Sequence, residues 1–346
     1  MKTIRQSITT VPGVRLGHAQ NDVAVTGCSV ILLPPDTICG VDQRGGAPGT
    51  RETDLLHPMH MVQEAHAILL TGGSAFGLDA AGGVMRFLEE NKSGINTLVA
   101  RVPIVPAAVI FDLDIGESSI RPDSLMGYQA CLNAENLDGA DIADRGNVGA
   151  GTGAKVGSFL GIRSAMKSGL GSAAIEVRPG LFVAAIFVVN AFGDVVDRQT
   201  GQIIAGARSV NFSGIKIGSN GYFADTLETM RTMLGSQVMK FIRAQNTVIG
   251  AVVTNAKLDK EEINKVAQMA HNGIAQVIRP AHTMLDGDTI FAAATNKKRA
   301  DVNLIGAYAA EATALAILDA VRSAQPAAGL PSASSVNQPS SGGKHA

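Results

Sequence analysis

Hydrophobic residues in this chain fall into short, nearly uninterrupted runs that polar turns separate. The longest run, which ends at Val189, contains no polar residue that would mark a solvent-facing side. Such a run is typical of a central strand buried on both faces, and the shorter runs bounded by Gly or Pro are typical of other buried strands. The predicted strands are Cys28–Leu33, Ala67–Thr71, Leu181–Val189, Val248–Val253 and a run that follows Asp288.

Other segments show a helical period instead. Asp259 and Glu262 have the spacing of a capping box, which predicts the N-terminus of a helix. One face of that helix is marked by Ile263, Val266, Ala270, Ile274 and Val277. Further helices are predicted to end near Glu90, to lie near Ala224–Leu234 and to cover Val302–Ala320. Strands mixed with helices in this way predict an α/β (α+β) fold.

The polar segments predict how the chain is organised. Residues 198–246 are rich in Ser, Gly, Asn, Arg and Met, which favours a connecting segment laid over the surface. From residue 325 onward Pro, Ser, Gly and Asn dominate, so residues 325–346 are predicted to be a disordered tail. With 346 residues and 46% hydrophobic content, the chain can bury one large core or two smaller ones. We expect a single domain over residues 1–324.

Composition and charge exclude several classes of partner. Lys and Arg number 29 against 30 Asp and Glu, and no basic block could neutralise a run of phosphates, so no nucleic acid partner is predicted. Residues 1–12 have no apolar signal core, and no later run reaches the roughly 18 uncharged apolar residues of a membrane span. Cys28, Cys39 and Cys131 fit neither a disulfide framework nor a zinc site. A cytoplasmic protein without membrane contact is predicted.

Cofactor and metal sites are not predicted either. The spacing of His57, His60 and His66 matches no common metal-ligand motif. The segment 149–155 formally matches a dinucleotide-binding motif, but the polar residues before it do not form the strand that such a motif requires. What remains is a glycine-rich cradle that presents the ammonium group of Lys155.

Thr247 is the most informative polar position. It follows Asn246 where the polar segment ends and a β-branched run begins. One interpretation is a turn that leads into a buried strand. The other is a new N-terminus, because an N-terminal Thr carries its own base, an α-amine with a pKa of roughly 7.7–8.0. Asn190, at the exit of the longest run, is likewise either a turn residue or an oxyanion-hole donor.

Several motifs occur together in a characteristic order. They are Val11–His18, Gly146–Gly157, Val188–Asp194, Asn246–Ile249 and Asp286–Thr289. As a set they resemble the family of L-aminopeptidase D-Ala-esterase/amidases and β-peptidyl aminopeptidases (family S58 peptidases). The resemblance covers roughly residues 8–322, and around Thr247 and Asp286–Asp288 it is strongest to the 6-aminohexanoate-oligomer (nylon-oligomer) hydrolases.

The resemblance implies a fold, a maturation step and a reaction. The fold would be a four-layer α-β-β-α sandwich, and the chain would cleave itself into residues 1–246 (α chain) and 247–346 (β chain). Processed αβ units would assemble into a homo-oligomer. The reaction would be hydrolysis of a small peptide or amino-acid amide without a cofactor. Two alternatives stay open: an acyltransferase of the ornithine acetyltransferase type, and an uncleaved relative that binds a small molecule.

Residue roles also follow from the resemblance. Thr247 would be the nucleophile, Asn190 the oxyanion donor and Lys155 a cation of the site. Asp286 and Asp288 would be carboxylates near the nucleophile, where they could orient it. Phe111 stands where better-known family members carry a Tyr, so the substrate pocket keeps the aromatic ring but lacks the phenolic donor.

Overall fold

The computed structural model describes residues 7–135, 144–212, 215–217, 221–233, 235 and 246–336. The described strands, in chain order, are β1 (Arg15–Asn21), β2 (Thr26–Leu32), β3 (Ile38–Gln43), β4 (Thr50–Arg51), β5 (Ala67–Thr71), β6 (Ile95–Asn96), β7 (Arg101–Val102), β8 (Ala107–Val109), β9 (Lys155–Val156), β10 (Met166–Lys167), β11 (Leu170–Arg178), β12 (Leu181–Asn190), β13 (Asp194–Val196), β14 (Ile203–Ala205), β15 (Val210–Phe212), β16 (Ile215–Ile217), β17 (Thr247–Lys257), β18 (Ile278–Arg279) and β19 (Thr289–Arg299). The α-helices are α1 (Ala80–Glu90), α2 (Ser124–Glu135), α3 (Thr226–Met230), α4 (Lys260–Val277), α5 (Val302–Ser323) and α6 (Ala333–Val336).

Two five-stranded sheets carry the fold. The first sheet has the order β1-β2-β5-β8-β4, and the second has the order β11-β12-β17-β19-β3. In the second sheet β17 is antiparallel to β12 and parallel to β19. One end of the second sheet therefore brings together the start of β17, the end of β12 and the start of β19.

Three hydrophobic cores lie between these sheets and helices. One core joins the first sheet to α1 and α2, with Val30, Leu69, Val84 and Phe87 among its members. A second core joins the two sheets, and a third joins the second sheet to α4 and α5. Strand β12 contributes alternate residues to the last two, as Ile186 and Val188 enter one and Phe187 and Val189 the other. The predicted central strand, buried on both faces, is confirmed.

The predicted helix after Asp259 is also present. The Asp259 side chain accepts a hydrogen bond from the Glu262 N–H, and the Glu262 side chain accepts one from the Asp259 N–H. The predicted helix near 224–234 shortens to Thr226–Met230 in the described residues, with Asp225 as its N-cap. Residues 213, 214, 218–220, 234 and 236–245 of the predicted connector lie outside the described residues.

The C-terminal segment differs from its prediction in part. Residues 325–336 are ordered: Leu330 and Ser332 are buried, and the helix α6 follows them. The Pro331 carbonyl also accepts a hydrogen bond of 2.7 Å from the Lys167 N–H of β10. The prediction of a disordered tail from residue 325 is therefore wrong for this stretch, because its small and apolar residues find a surface that its composition does not reveal. Residues 337–346 lie outside the described residues.

Helix α5 is long and apolar enough to span a membrane by length and composition alone. Its apolar window has a mean hydropathy of 1.5, and 67% of that window is buried inside the fold. It packs on β11, β12 and α4. The apolar composition of α5 is thus explained by its packing against the second sheet and α4.

Candidate active site

Thr247 is the first residue of β17 and is buried, with 4% of its surface exposed. It lies directly opposite Asn190, the last residue of β12, in the antiparallel register. Directly opposite residues of such a pair carry their side chains on the same face of the sheet, with Cβ atoms about 5 Å apart. The structure thus brings the predicted nucleophile and the predicted oxyanion donor together.

Asn246 is held through its backbone and its side chain. Its N–H donates to the Leu285 carbonyl at 3.0 Å, and its own carbonyl accepts from the Gly287 N–H at 2.9 Å. The Ser158 hydroxyl donates to Asn246 Oδ1 at 2.6 Å. Asn246 Nδ2, in contrast, is buried and has no hydrogen-bond partner within the described part of the chain. The peptide group that joins residues 246 and 247 is therefore fixed in orientation.

Gly287 approaches Thr247 so closely that only glycine fits. A Cβ atom at Gly287 would lie 2.5 Å from the Ala47 carbonyl oxygen and 3.0 Å from Thr247 Oγ1. The same residue donates its N–H to the Asn246 carbonyl. Gly287 thus lies beside the Thr247 hydroxyl and also donates to the carbonyl of the peptide group before Thr247.

Asp288 binds groups on both sides of the turn. Its Oδ1 accepts from the Val248 N–H at 2.8 Å, and its Oδ2 accepts from the His282 N–H at 3.1 Å. The same Oδ2 lies 2.8 Å from His282 Nδ1. The predicted carboxylate is thus beside the nucleophile, but it holds the N–H of the residue after Thr247 rather than Thr247 itself.

Asp286 lies two residues before Asp288. Its Oδ2 accepts from the N–H and the hydroxyl of Thr283, at 2.8 and 2.6 Å, and its backbone bridges to Asn246. Burial first, and then the charge of Asp288, raises the pKa of Asp286 to about 7. A carboxyl group of that kind can hold or release a proton near neutral pH, as a general acid or base must.

Lys155 and Phe111 are linked to Asn190, the residue opposite Thr247, by hydrogen bonds. Lys155 Nζ donates to Asp114 Oδ1 at 2.7 Å and to the Phe111 carbonyl at 3.2 Å. Asn190 Nδ2 donates to the same carbonyl at 3.2 Å, and Asn190 Oδ1 accepts from the Lys155 N–H at 3.2 Å. The Lys155 ammonium also lies 5.9 Å from the centre of the Phe111 ring. Phe111 thus contributes its carbonyl as well as its ring.

Sequence reasoning missed several residues of this site. Ser158 contacts Asn246 across 88 positions of the chain, and Lys155 contacts Asp114 across 41, so no local pattern could reveal either pair. His282 and Thr283 are within six positions of Asp288 and could have been found as polar neighbours of the Asp-Gly-Asp turn.

A second histidine extends the cluster. The rings of His271 and His282 pack edge to face, with centres 4.9 Å apart, and His271 Nε2 lies 3.0 Å from the Asp42 carbonyl oxygen. Burial lowers the pKa of His271 to about 3, so His271 is neutral at the pH of most assays. Among the described residues no group of three or more His, Cys, Asp or Glu side chains is arranged to hold a metal ion.

Comparisons of the sequence with known proteins find a matching family model and named relatives. The sequence model of peptidase family S58 matches residues 6–334. The chain is similar to an uncharacterized aminopeptidase of Mycobacterium bovis, with 41% identity over 350 residues that cover 94% of this chain and 96% of that protein. It is also similar to a 6-aminohexanoate-oligomer endohydrolase of Paenarthrobacter ureafaciens, with 31% identity over 286 residues, 83% of this chain and 74% of that one.

A solved structure supports the fold. The L-aminopeptidase D-Ala-esterase/amidase of Ochrobactrum anthropi matches with a TM-score of 0.66 at 17% identity, covering 94% of this chain and 88% of that chain. That protein is described as a variant of the Ntn hydrolase fold. At this identity the match speaks for the fold alone.

Proposed function

The chain belongs to peptidase family S58 and is a hydrolase that acts on amide bonds, and from this premise we propose that it cleaves itself before Thr247 and then uses Thr247 as an N-terminal nucleophile. The proposal has two steps, which use different donors and different bases. Family membership supports the class of reaction, and the geometry around residues 246 and 247 supports the proposed mechanism.

The observation that carries the first step is the hydrogen bond from the Gly287 N–H to the Asn246 carbonyl, beside Thr247 Oγ1. In self-cleavage that hydroxyl attacks the Asn246 carbonyl carbon, and the Gly287 N–H stabilises the developing oxyanion. A carboxylate of the Asp286–Asp288 pair accepts the hydroxyl proton and then gives it to the threonine nitrogen, so that the C–N bond breaks and the nitrogen leaves as an amine. Water then hydrolyses the ester that joins Asn246 to Thr247 Oγ1.

The second step is hydrolysis of a substrate amide. The freed α-amine of Thr247 takes the proton from its own hydroxyl, and the hydroxyl oxygen attacks the substrate carbonyl. The resulting ammonium gives the proton to the nitrogen of the scissile amide, which leaves as an amine, and water then hydrolyses the acyl-enzyme. Asn190 and Lys155 stabilise the oxyanion after they turn from the Phe111 carbonyl toward the substrate. Asp288 holds the second residue of the new N-terminus through the Val248 N–H.

The substrates we propose are short amides with a free amino end. The relatives described above are named as aminopeptidases and as a hydrolase of 6-aminohexanoate oligomers. The Phe111 ring beside Lys155 gives the site an apolar wall, which suits an unbranched or small side chain next to the scissile carbonyl. No metal or cofactor takes part in this scheme.

The proposal extends to architecture and assembly. The three cores support a layer order of α1 and α2, first sheet, second sheet, and α4 and α5. We propose further that the processed units assemble into a homo-oligomer in the cytoplasm. Analytical ultracentrifugation of the processed protein tests the assembly.

The decisive experiment measures mass and activity together. Intact mass of wild-type protein should change from one full chain to two products that correspond to residues 1–246 and 247–346. Thr247→Ala should remain one chain and hydrolyse nothing, whereas Thr247→Ser should still be cleaved. Amino-acid p-nitroanilides, β-amino-acid amides and 6-aminohexanoate oligomers are the substrates, each with and without a chelator. A folded wild-type protein that stays in one piece contradicts self-cleavage, and activity that a chelator abolishes and a metal restores contradicts the threonine mechanism.

A further inference from the structure

Lys167 is a fully buried cation that the proposed mechanism does not use. None of its side chain is exposed, and its Nζ donates to three backbone carbonyls. These are the carbonyls of Gly151 at 3.1 Å, Ala154 at 2.9 Å and Ser168 at 2.5 Å. A buried ammonium group is costly unless its donors are satisfied, and here all three are satisfied by backbone oxygens without an ion pair in the described part of the chain.

Two of these carbonyls belong to the turn that leads into Lys155. Gly151 ends the 3-10 turn Gly149–Gly151, and Ala154 directly precedes Lys155. Strands β9 and β10 place Lys155 and Lys167 opposite each other, and the Ser168 N–H donates to the Ala154 carbonyl at 3.0 Å. The ammonium of Lys167 therefore joins the turn before Lys155 to the strand that pairs with it.

We propose that Lys167 is a positioning residue that fixes the backbone of residues 151–154 and thereby aims Lys155 into the active site. The inference rests on the role assigned to Lys155 in the proposed function. A protonated amine offers three N–H donors, one for each carbonyl, whereas a neutral amine offers two and directs its lone pair at the third oxygen. The turn is thus held fully only while Lys167 carries its charge.

The surroundings make that charge sensitive to pH. Burial first, and then the positive charge of Lys155, lowers the pKa of Lys167 to about 7, while the negative charge of Asp112 opposes this shift. Among the described residues, Lys155 and Asp112 are the charged groups that act on Lys167. As the pH rises above 7, Lys167 loses its proton, one carbonyl loses its donor, and the turn before Lys155 loosens.

The chain offers a matched control in Lys260. This lysine is also buried, and its Nζ donates to three carbonyls, those of Leu55, His60 and Val62, at 3.0, 2.9 and 2.7 Å. It follows the far end of β17, the strand that begins at Thr247. Eleven strand residues at about 3.3 Å each separate the two ends. Lys260→Met removes the same kind of cage far from the active site.

The first test is kinetic and uses processed protein, with rates expressed per freed threonine. Lys167→Met should lower kcat by roughly tenfold to a hundredfold with a smaller change in KM, because a misplaced Lys155 acts mainly in the transition state. Lys167→Gln keeps two donors and cannot titrate, so its kcat should be intermediate, and the ratio of wild-type kcat to Lys167→Gln kcat should fall as the pH rises above 7. Lys260→Met should keep the kcat and the pH profile of the wild type. Equal losses in Lys167→Met and Lys260→Met would overturn the inference.

The second test does not depend on activity. Hydrogen exchange of peptides that cover residues 149–156 should be faster in Lys167→Met than in the wild type and unchanged in Lys260→Met. In the wild type, protection of the same peptides, corrected for intrinsic exchange, should fall between pH 6 and 8.5. Unchanged protection in both measurements overturns the inference even if hydrolysis proceeds. If the wild type hydrolyses no amide but the loop responds as described, the proposed function fails and the structural role of Lys167 stands.

Discussion

Asn246, the residue before the proposed nucleophile, is held at three of its polar groups. Leu285, Gly287 and Ser158 bind its N–H, its carbonyl and its side-chain oxygen. An ordinary loop residue would not be enclosed in this way, because burying a peptide group and an amide side chain requires partners for each polar atom. At the scale of single residues, the group to be cleaved is therefore positioned before any reaction starts.

A serine substitution tests this positioning. Ser158→Ala removes the donor to Asn246 Oδ1 and leaves a second buried polar atom of that side chain without a partner. Self-cleavage should slow by roughly tenfold, since a lost hydrogen bond of about 1–2 kcal/mol loosens the carbonyl before Thr247. A time course of freshly made protein on denaturing gels measures this rate.

Ser164→Ala is the matched control for that experiment. Ser164 is equally buried and lies six residues away, but its hydroxyl donates to the carbonyls of Gly157 and Gly161 and does not touch Asn246. Its cleavage should keep the wild-type rate. The same slowing in both variants would show that general loosening of residues 157–164, and not the contact with Asn246, controls the reaction.

Asp286 gives a prediction about pH. Its pKa in the folded chain is about 7 against 3.8 in a model peptide, so the folded state binds the proton more tightly than the unfolded state does. The resulting stability is present below pH 4 and is lost as the pH rises toward 7. In uncleavable Thr247→Ala, the free energy of unfolding should fall over this range by on the order of 3 kcal/mol because of Asp286.

Denaturant unfolding at several pH values measures this contribution. Adding Asp286→Asn should remove most of the decline, and adding Asp36→Asn, at an exposed carboxylate, should leave it in place. With Thr247 restored, self-cleavage should accelerate as the pH rises through 7, since the ionised carboxylate is the form that accepts a proton. A rate that is flat across this range would exclude Asp286 as the base.

At the scale of elements, the strands and helices next to the site were the most predictable parts of the chain. The β-branched run after Thr247 and the apolar run before Asn190 predicted β17 and β12, because strong burial on both faces leaves a continuous hydrophobic pattern. The capping box predicted the start of α4 because its signal, Asp259 followed three residues later by Glu262, is local in the sequence. Thr247 and Asn190 were then found at the predicted ends of their strands.

Other elements left no such pattern. Strands β9 and β10 have two residues each and are joined by residues 157–165, which contain two 3-10 turns, so neither strand is long enough to show a period. The cage around Lys167 consists of backbone oxygens, which any sequence supplies, and only the tertiary fold brings them together. The segment 325–336 packs although Pro, Ser and Ala dominate it, since burial of Leu330 and Ala333 depends on a surface formed elsewhere.

Truncation tests the role of that segment. Deletion of residues 325–346 removes the buried Leu330 and the carbonyl of Pro331 that binds the Lys167 N–H. Relative to a chain that ends at residue 336, it should lose about 2–4 kcal/mol of stability, from one buried leucine and one hydrogen bond. Chemical denaturation of the two truncated proteins compares them. Equal stability would mean that residues 325–336 only rest on the fold.

At the scale of the whole molecule, the second sheet joins the two parts of the chain that the proposed cleavage separates. Strands β17 and β19 lie side by side, and their outer neighbours β12 and β3 both come from before residue 247. The part after the cleavage site also supplies α4 and α5, which cover one face of that sheet. The proposed cut before Thr247 would leave these contacts intact, so we expect the two products to stay associated.

The position of β17 has a consequence for recovery after damage. Before cleavage, folding is a reaction within one molecule, and its yield does not depend on concentration. After cleavage, an unfolded molecule becomes two separate polypeptides, and rebuilding the second sheet requires them to meet in solution. Refolding from denaturant should therefore fail on dilution for processed protein and succeed for Thr247→Ala at the same concentrations, which light scattering and circular dichroism can follow. Each molecule would then fold as a single chain only once, before cleavage. Unfolding after cleavage would be nearly irreversible at low protein concentration.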